Sequence, residues 1–147
     1  MENKISVLLV QWNILFEELL FLLKIRELEN TCAKFGTWSL KDLVSHILAW
    51  DIEILRQYNL FKNGYTEIIE HEIEAFNKNA IEDRMNNSLK ENIADLKKTN
   101  DQINIVLSSL SSLDYKKNSH YEEWLEIEIS HYSHHIKQIK QQLPNAK

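Results

Sequence analysis

Histidines near the C-terminus are the residues whose type and spacing most clearly suggest chemistry. His131 and His135 lie four positions apart, so on a helix their side chains rise from one face, about 5–6 Å apart at Cβ. Two imidazoles at that separation can bind one divalent ion. His134 points to a different side of the same helix. The pair therefore predicts two of the ligands of a metal site.

His46 is the candidate for the third ligand. It flanks the apolar line of Leu43 and Ile47, so its side chain is expected to face the same interior as the pair. Three neutral imidazoles from two helices leave coordination positions open for water or substrate, as a catalytic metal site requires. We predict that His46, His131 and His135 bind one divalent ion.

Glu128 lies one helical turn before His131. At that position it could orient a histidine, bind the ion or act as a general base, and we assign it a catalytic role. A di-iron site is disfavoured, because Glu128-x-x-His131 has no second copy in the chain. The alternative to a metal is that half-buried histidines hydrogen-bond to neighbours or water, since a four-residue spacing arises easily by chance among six histidines.

Other reactive residue types have simpler interpretations. Cys32 is the single cysteine, which excludes an internal disulfide and favours a reducing cytoplasm. An acidic run around His71 is typical of a solvated helix face, although His71 itself is a candidate. The tryptophans are expected to be core residues, and one alternative places the Trp12 helix at a dimer seam. The acidic run comprises Glu67, Glu70 and Glu74, and the tryptophans are Trp12, Trp38, Trp50 and Trp124.

The elements that position these residues should be helices. The chain has 147 residues with only two glycines and one proline, and its apolar residues recur at spacings of three and four without any strand pattern. Ser39 and Ser88 are predicted helix caps. The expected helices span about 4–29, 40–61, 66–83, 89–107 and 118–143, with a break at 108–114. We predict one all-α domain over residues 1–147, a four-helix bundle with an additional short helix.

Composition excludes several function classes. Gly36 and Gly64 are too far apart for a phosphate-binding loop or a dinucleotide fingerprint. The net charge of −5 disfavours nucleic acid, which needs clustered cations. Glu17 and Glu18 interrupt the apolar stretch from 5 to 25, so we predict a core helix and no membrane span. A small-molecule substrate or ligand in the cytoplasm is the expected partner.

Three segments of the chain, taken in order, carry a family resemblance. They are Thr37-Trp38-Ser39-Leu40-Lys41-Asp42-Leu43-Val44-Ser45-His46-Ile47-Leu48-Ala49-Trp50, Glu74-Ala75-Phe76-Asn77 and His131-Tyr132-Ser133-His134-His135-Ile136-Lys137-Gln138-Ile139. These segments resemble the DinB-like (DinB/YfiT) superfamily, in the branch related to the DfsB and ClbS proteins. The resemblance implies a four-helix bundle, often dimeric, that holds a divalent ion through three histidines, and these map by motif onto His46, His131 and His135.

The resemblance leaves the reaction open, because its members include thiol transferases, an isomerase, hydrolases and a protein that opens a reactive genotoxin. Thiol transferases commonly continue the last motif as His-His-Arg-Gly-Gln, whereas this chain has His134-His135-Ile136-Lys137-Gln138. We expect a zinc-, nickel- or iron-dependent hydrolase or transferase that acts on a reactive small molecule. The alternative is a metal-free protective or ligand-binding bundle without catalysis.

Overall fold

A computed structural model describes residues 4–25 and 34–142 of the chain. In this part the protein is mostly helical, which confirms the all-α prediction. One small antiparallel hairpin joins the helices, with Phe35 opposite Trp38. The elements are α1 Lys4–Leu23, β1 Lys34–Phe35, β2 Trp38–Ser39, α2 Leu40–Lys62, α3 Ile73–Asp83, α4 Leu89–Ser108, α5 Ser112–Lys117 and α6 His120–Gln142.

The four long helices pack as two extensive pairs. Helix α1 lies along α6 and α2 lies along α4, while contacts of α1 with α4 and of α2 with α6 join the pairs. The largest fully buried side chains of the core are Trp12, Tyr58, Tyr121 and Tyr132. Helix α3 packs on the outside of α2. This short helix therefore covers the side chains that α2 directs toward it.

Helix α2 begins as predicted. The Asp42 amide donates to Ser39 Oγ and the Ser39 amide donates to Asp42 Oδ2, both at 3.1 Å, which forms a capping box. Ser88 and Glu91 make the same arrangement at the start of α4. These two caps set where the helices that follow them begin.

Several predicted boundaries are wrong. Helix α1 ends at Leu23 rather than near residue 29, and residues 24 and 25 already leave the helix. Helix α3 begins at Ile73 and not at Thr66, because residues 63–72 are irregular. The helical spacing of Ile69, Ile73 and Phe76 predicts that they are the apolar contacts of this helix, but Ile69 and Ile73 are exposed and Ala80 is buried instead.

Two further elements were missed by the sequence prediction. Helix α5 begins inside the predicted break and has its own capping box between Ser111 and Asp114. The hairpin forms because Gly36 adopts a positive φ of 64°, which glycine tolerates without strain. The predictions for Cys32, Leu143 and Pro144 lie outside the described residues.

Helix α1 is long and apolar enough to cross a membrane by length and composition, but its inner face belongs to the core. Trp12 is fully buried, so its side chain cannot form a dimer seam. The outward face of α1 instead presents exposed apolar side chains at Val7, Val10, Ile14 and Phe21.

Candidate metal centre

His46, His131 and His135 come together between α2 and α6. Their Nε2 atoms are 2.9 Å apart for His46 and His131, 3.2 Å for His46 and His135, and 2.8 Å for His131 and His135. His46 and His135 are buried and His131 is partly buried. The three predicted ligands therefore lie close enough to bind one metal ion.

Local packing explains how α2 presents His46. The residues on either side of it, Ser45 and Ile47, are buried, and Asn92 of α4 donates a 2.9 Å hydrogen bond to Ser45 Oγ. This bond ties α2 to α4 beside His46. The ring of Trp38 in β2 lies against the imidazole of His46, with centroids 4.8 Å apart, so the hairpin closes that side of the site.

Each histidine also has an oxygen atom near its other ring nitrogen. His46 Nδ1 lies 3.0 Å from Asn77 Oδ1, and His135 Nδ1 lies 2.7 Å from Gln138 Oε1. His131 Nδ1 lies 3.6 Å from Glu128 Oε1. An acceptor within hydrogen-bond distance of Nδ1, as beside His46 and His135, favours the proton there and leaves the Nε2 lone pair for a metal.

For His46 the tautomer follows from a second hydrogen bond. Trp50 Nε1 lies 2.8 Å from Asn77 Oδ1, and an indole nitrogen can only donate. The amide oxygen of Asn77 must therefore face Trp50, and the same oxygen faces His46 Nδ1. His46 consequently carries its proton on Nδ1, and its Nε2 reaches the centre without a proton.

The donor set fits a metal ion. Nitrogens 2.8–3.2 Å apart can all lie about 2.1 Å from one common point, the usual distance from zinc to a histidine nitrogen. Three ligands on one side leave further coordination positions open, as in catalytic rather than structural sites. Imidazole nitrogen suits zinc, iron and nickel alike, so the ligands alone do not select among these ions.

The electrostatics keep these rings neutral. Burial, with a smaller contribution from His131, lowers the pKa of His46 to about 4 and that of His135 to about 3. Burial also lowers the pKa of His131, although Asp51 opposes this shift. Neutral imidazole is the form that binds a metal, so no ligand has to lose a proton at pH 7.

A buried carboxyl pair lies behind His131. Asp51 of α2 and Glu128 of α6 are both buried and close enough for each to shift the pKa of the other, while Tyr132 Oη donates to Asp51 Oδ2 at 2.5 Å. Burial raises the pKa of both carboxyl groups, and the neighbouring Glu128 raises that of Asp51 further. Two buried carboxyl groups in contact cannot both be ionised at little cost, so they share one proton.

Two oxygen atoms of this pair lack a donor. Asp51 Oδ1 and Glu128 Oε2 are buried and have no hydrogen-bond partner among the described residues. A proton shared by the pair supplies a donor of the kind that buried polar atoms require. Glu128 Oε1 then remains available to His131 Nδ1.

The remaining sequence candidates lie elsewhere. His71 Nε2 is 2.9 Å from Glu53 Oε1, and His134 is exposed on α6. Glu67, Glu70 and Glu74 are exposed, which confirms the prediction of a solvated acidic run. None of these side chains joins the three-histidine cluster.

Sequence reasoning missed most of the residues that hold the histidines in place. Asn77 and Trp50 were noted only within the segments that carry the resemblance, Trp50 also as an expected core residue, and Asp51 was not identified as a site residue. A polar residue at an inward position, as Asp51 is beside Ile54 and Tyr58, was the available signal for the carboxyl pair. Gln138, three residues after His135, carried a similar helix-spacing signal.

Comparison with protein-family models, with curated proteins and with solved structures found no match for this chain.

Proposed function

We propose that this chain is a DinB-like metal protein in which a four-helix bundle holds one divalent ion, such as zinc, nickel or iron, through His46, His131 and His135. The observation that carries the proposal is the convergence of three Nε2 atoms within 3.2 Å. Each ring also has an oxygen near Nδ1. Such oxygens commonly orient metal-binding histidines.

The proposed activity is hydrolysis or group transfer on a reactive small molecule. A divalent ion in such a site lowers the pKa of water to about 7 and so supplies a nucleophile at neutral pH. Within the chain, Asn77 and Gln138 orient two of the ligands. The geometry favours a positioning role for Glu128 over direct catalysis, because its carboxylate faces His131 Nδ1 and not the Nε2 cluster.

The resemblance of three segments to the DinB-like superfamily supports the bundle assignment and assembly as a homodimer, and the single cysteine supports a cytoplasmic location. The packing of the four long helices is compatible with that architecture. The missing Arg and Gly after His135 favour a reaction other than thiol transfer. Substrate and reaction type are properties of the site and not of the fold.

The metal-free alternative rests on the same distances. Nε2 atoms 2.8–3.2 Å apart are also within hydrogen-bond range, so one imidazole can donate to another without an ion. In that arrangement the cluster would be a polar part of the core or of a ligand-binding site. Metal content therefore separates the two functions directly.

The test is elemental analysis of protein purified without a histidine tag. We expect about one divalent ion per chain, and loss of that ion in His135→Ala. His134→Ala is the matched control, because it removes an exposed imidazole from the adjacent position of the same helix and should leave the metal content unchanged. Sub-stoichiometric metal in the unmodified protein, after incubation with each of the three ions, would contradict the proposal.

A further inference from the structure

A cavity of about 400 Å³ lies between β2 and α3. Its volume is in the range of small-molecule sites, and none of the three clustered histidines lines it. It lies on the Nδ1 side of His46, because Asn77 both lines the cavity and accepts from His46 Nδ1. The lining residues are Trp38, Glu74, Asn77, Lys78, Ile81 and Glu82.

The charges around this cavity are unbalanced. The lining carries two carboxylates and one ammonium group, and that ammonium, Lys78 Nζ, lies 3.9 Å from Glu82 Oε1. The carboxylate of Glu74 has no cationic partner among the described residues. It lies one helical turn from Asn77, on the same face of α3. The cavity therefore presents one uncompensated negative charge.

The rest of the lining offers apolar surface and a hydrogen-bond donor. Trp38 supplies an indole ring and Ile81 an aliphatic side chain on the opposite wall. The oxygen of Asn77 is engaged by Trp50 and His46, which leaves its amide NH₂ group to donate. A cavity lined by both an indole ring and a carboxylate suits an organic cation, since both groups attract positive charge.

We propose that this cavity binds a small organic ammonium compound with an aromatic or aliphatic body. The ammonium group pairs with Glu74, and the apolar body lies between Trp38 and Ile81. An organic anion of the same size is repelled by Glu74. This site is separate from the proposed metal centre. The two sites share only Trp38 and Asn77, which line the cavity and also contact His46.

Isothermal titration with phenethylamine and phenylacetate at pH 7 tests the proposal, since the two probes have similar bodies and opposite charges. We expect phenethylamine to bind about ten-fold more tightly than phenylacetate at low ionic strength. Glu74→Gln should weaken phenethylamine binding by about three- to five-fold, the effect of one exposed ion pair. Glu70→Gln is the control, because it removes an exposed carboxylate outside the cavity.

Equal affinity for the two probes, or no effect of Glu74→Gln in a variant that melts like the unmodified protein, would overturn the proposal. So would an equal loss of affinity in Glu70→Gln. His135→Ala keeps this result separate from the metal proposal: it should abolish metal binding and retain phenethylamine binding. Failure of either measurement therefore identifies which of the two sites is wrong.

Discussion

Helix α2 carries two buried carboxyl groups, two residues apart, whose pKa values shift in opposite directions. Burial and the neighbouring Glu128 raise the pKa of Asp51. Burial also acts to raise the pKa of Glu53, but hydrogen bonds from Arg56, His71 and Gln57 outweigh it and lower the pKa. Hydrogen bonds from neighbouring side chains therefore stabilise the ionised carboxylate of Glu53, whereas the carboxyl groups of Asp51 and Glu128 share a proton.

Histidine is used differently in the same two regions. His71 directs Nε2 to Glu53, so the atom that would bind a metal is already occupied. His46, His131 and His135 have oxygen atoms on the Nδ1 side and direct Nε2 toward one another. The comparison indicates how a candidate metal ligand differs from a structural histidine. In the candidate ligand Nε2 faces no carboxylate, whereas in His71 the Nε2 atom is paired with one.

The largest expected effect is that of a chelator on thermal stability. A bound ion at about 1,000 times its Kd stabilises the native state by about 4 kcal/mol. For a chain of this size, chelation should then lower Tm by roughly 8–16 °C. His135→Ala should melt at the same temperature with and without chelator. Differential scanning calorimetry in matched buffers measures both.

His71→Ala provides the contrast for that experiment. It should lower Tm, because Glu53 loses a buried partner, yet retain the full response to chelator. If His71→Ala lost the response, or if His135→Ala kept it, the assignment of the two histidine environments would be reversed.

The second effect concerns Asn77, which holds His46 from α3. Asn77→Ala should weaken metal binding by about 10- to 100-fold, the usual consequence of removing the partner of a metal-bound imidazole. Gln57→Ala is the matched control, because Gln57 also binds across from α2, to the backbone of Ile69. The control should lose about 1–2 kcal/mol of stability without a change in metal affinity, as measured by competition with a chromophoric chelator.

The features that could be predicted from the sequence are those that depend on the spacing of residues within one helix. The capping residues Ser39 and Ser88 and the pairing of His131 with His135 follow from contacts within one helix, three or four residues apart. The inward position of His46 follows from the apolar line of α2 in the same way. These features need no knowledge of how the helices pack.

The residues that support the histidines depend on contacts between segments that are distant in sequence, so they could not be predicted in this way. Asn77 reaches His46 across 31 positions of sequence, and Asp51 meets Tyr132 across 81, so no local pattern specifies either pair. The irregular segment before α3 was predicted as helix because Ile69 and Ile73 have helical spacing. Gln57 instead binds both backbone groups of Ile69, which lies outside any helix. The missed α5 has a different cause, since its capping box at Ser111 was visible but was interpreted as a break.

The third effect is the pH dependence of the metal-free protein. His46 and His135 have native pKa values of about 4 and about 3 against 6.5 when unfolded. The unfolded chain therefore binds more protons below pH 6.5, and these groups make stability fall as the pH decreases toward 4. Their joint contribution should be roughly 2.5 kcal/mol per pH unit at its steepest, near pH 5.

Urea unfolding between pH 4.5 and 7 measures this slope. His135→Ala should make the slope shallower. Glu53→Gln should leave it largely unchanged, because Glu53 has a lowered pKa and its stabilisation is lost only as the pH falls below about 4.5. Equal slopes in His135→Ala and the unmodified protein would show that the ring of His135 is not protected from protonation.

The smallest expected effect contrasts Asp51 with Glu53 directly. Asn at position 51 can accept from Tyr132 and donate to Glu128, so Asp51→Asn reproduces the protonated carboxyl group. A group with a raised native pKa contributes stability at low pH and loses it as the pH rises. Asp51→Asn should therefore gain roughly 1 kcal/mol over the unmodified protein between pH 4 and pH 8.

Glu53→Gln should instead lose stability relative to the unmodified protein over the same range, because the ionised carboxylate of Glu53 favours folding above its unfolded pKa. If both variants responded with the same sign, Asp51 would be ionised in the native protein, and a proton shared with Glu128 could not explain the two oxygen atoms without donors.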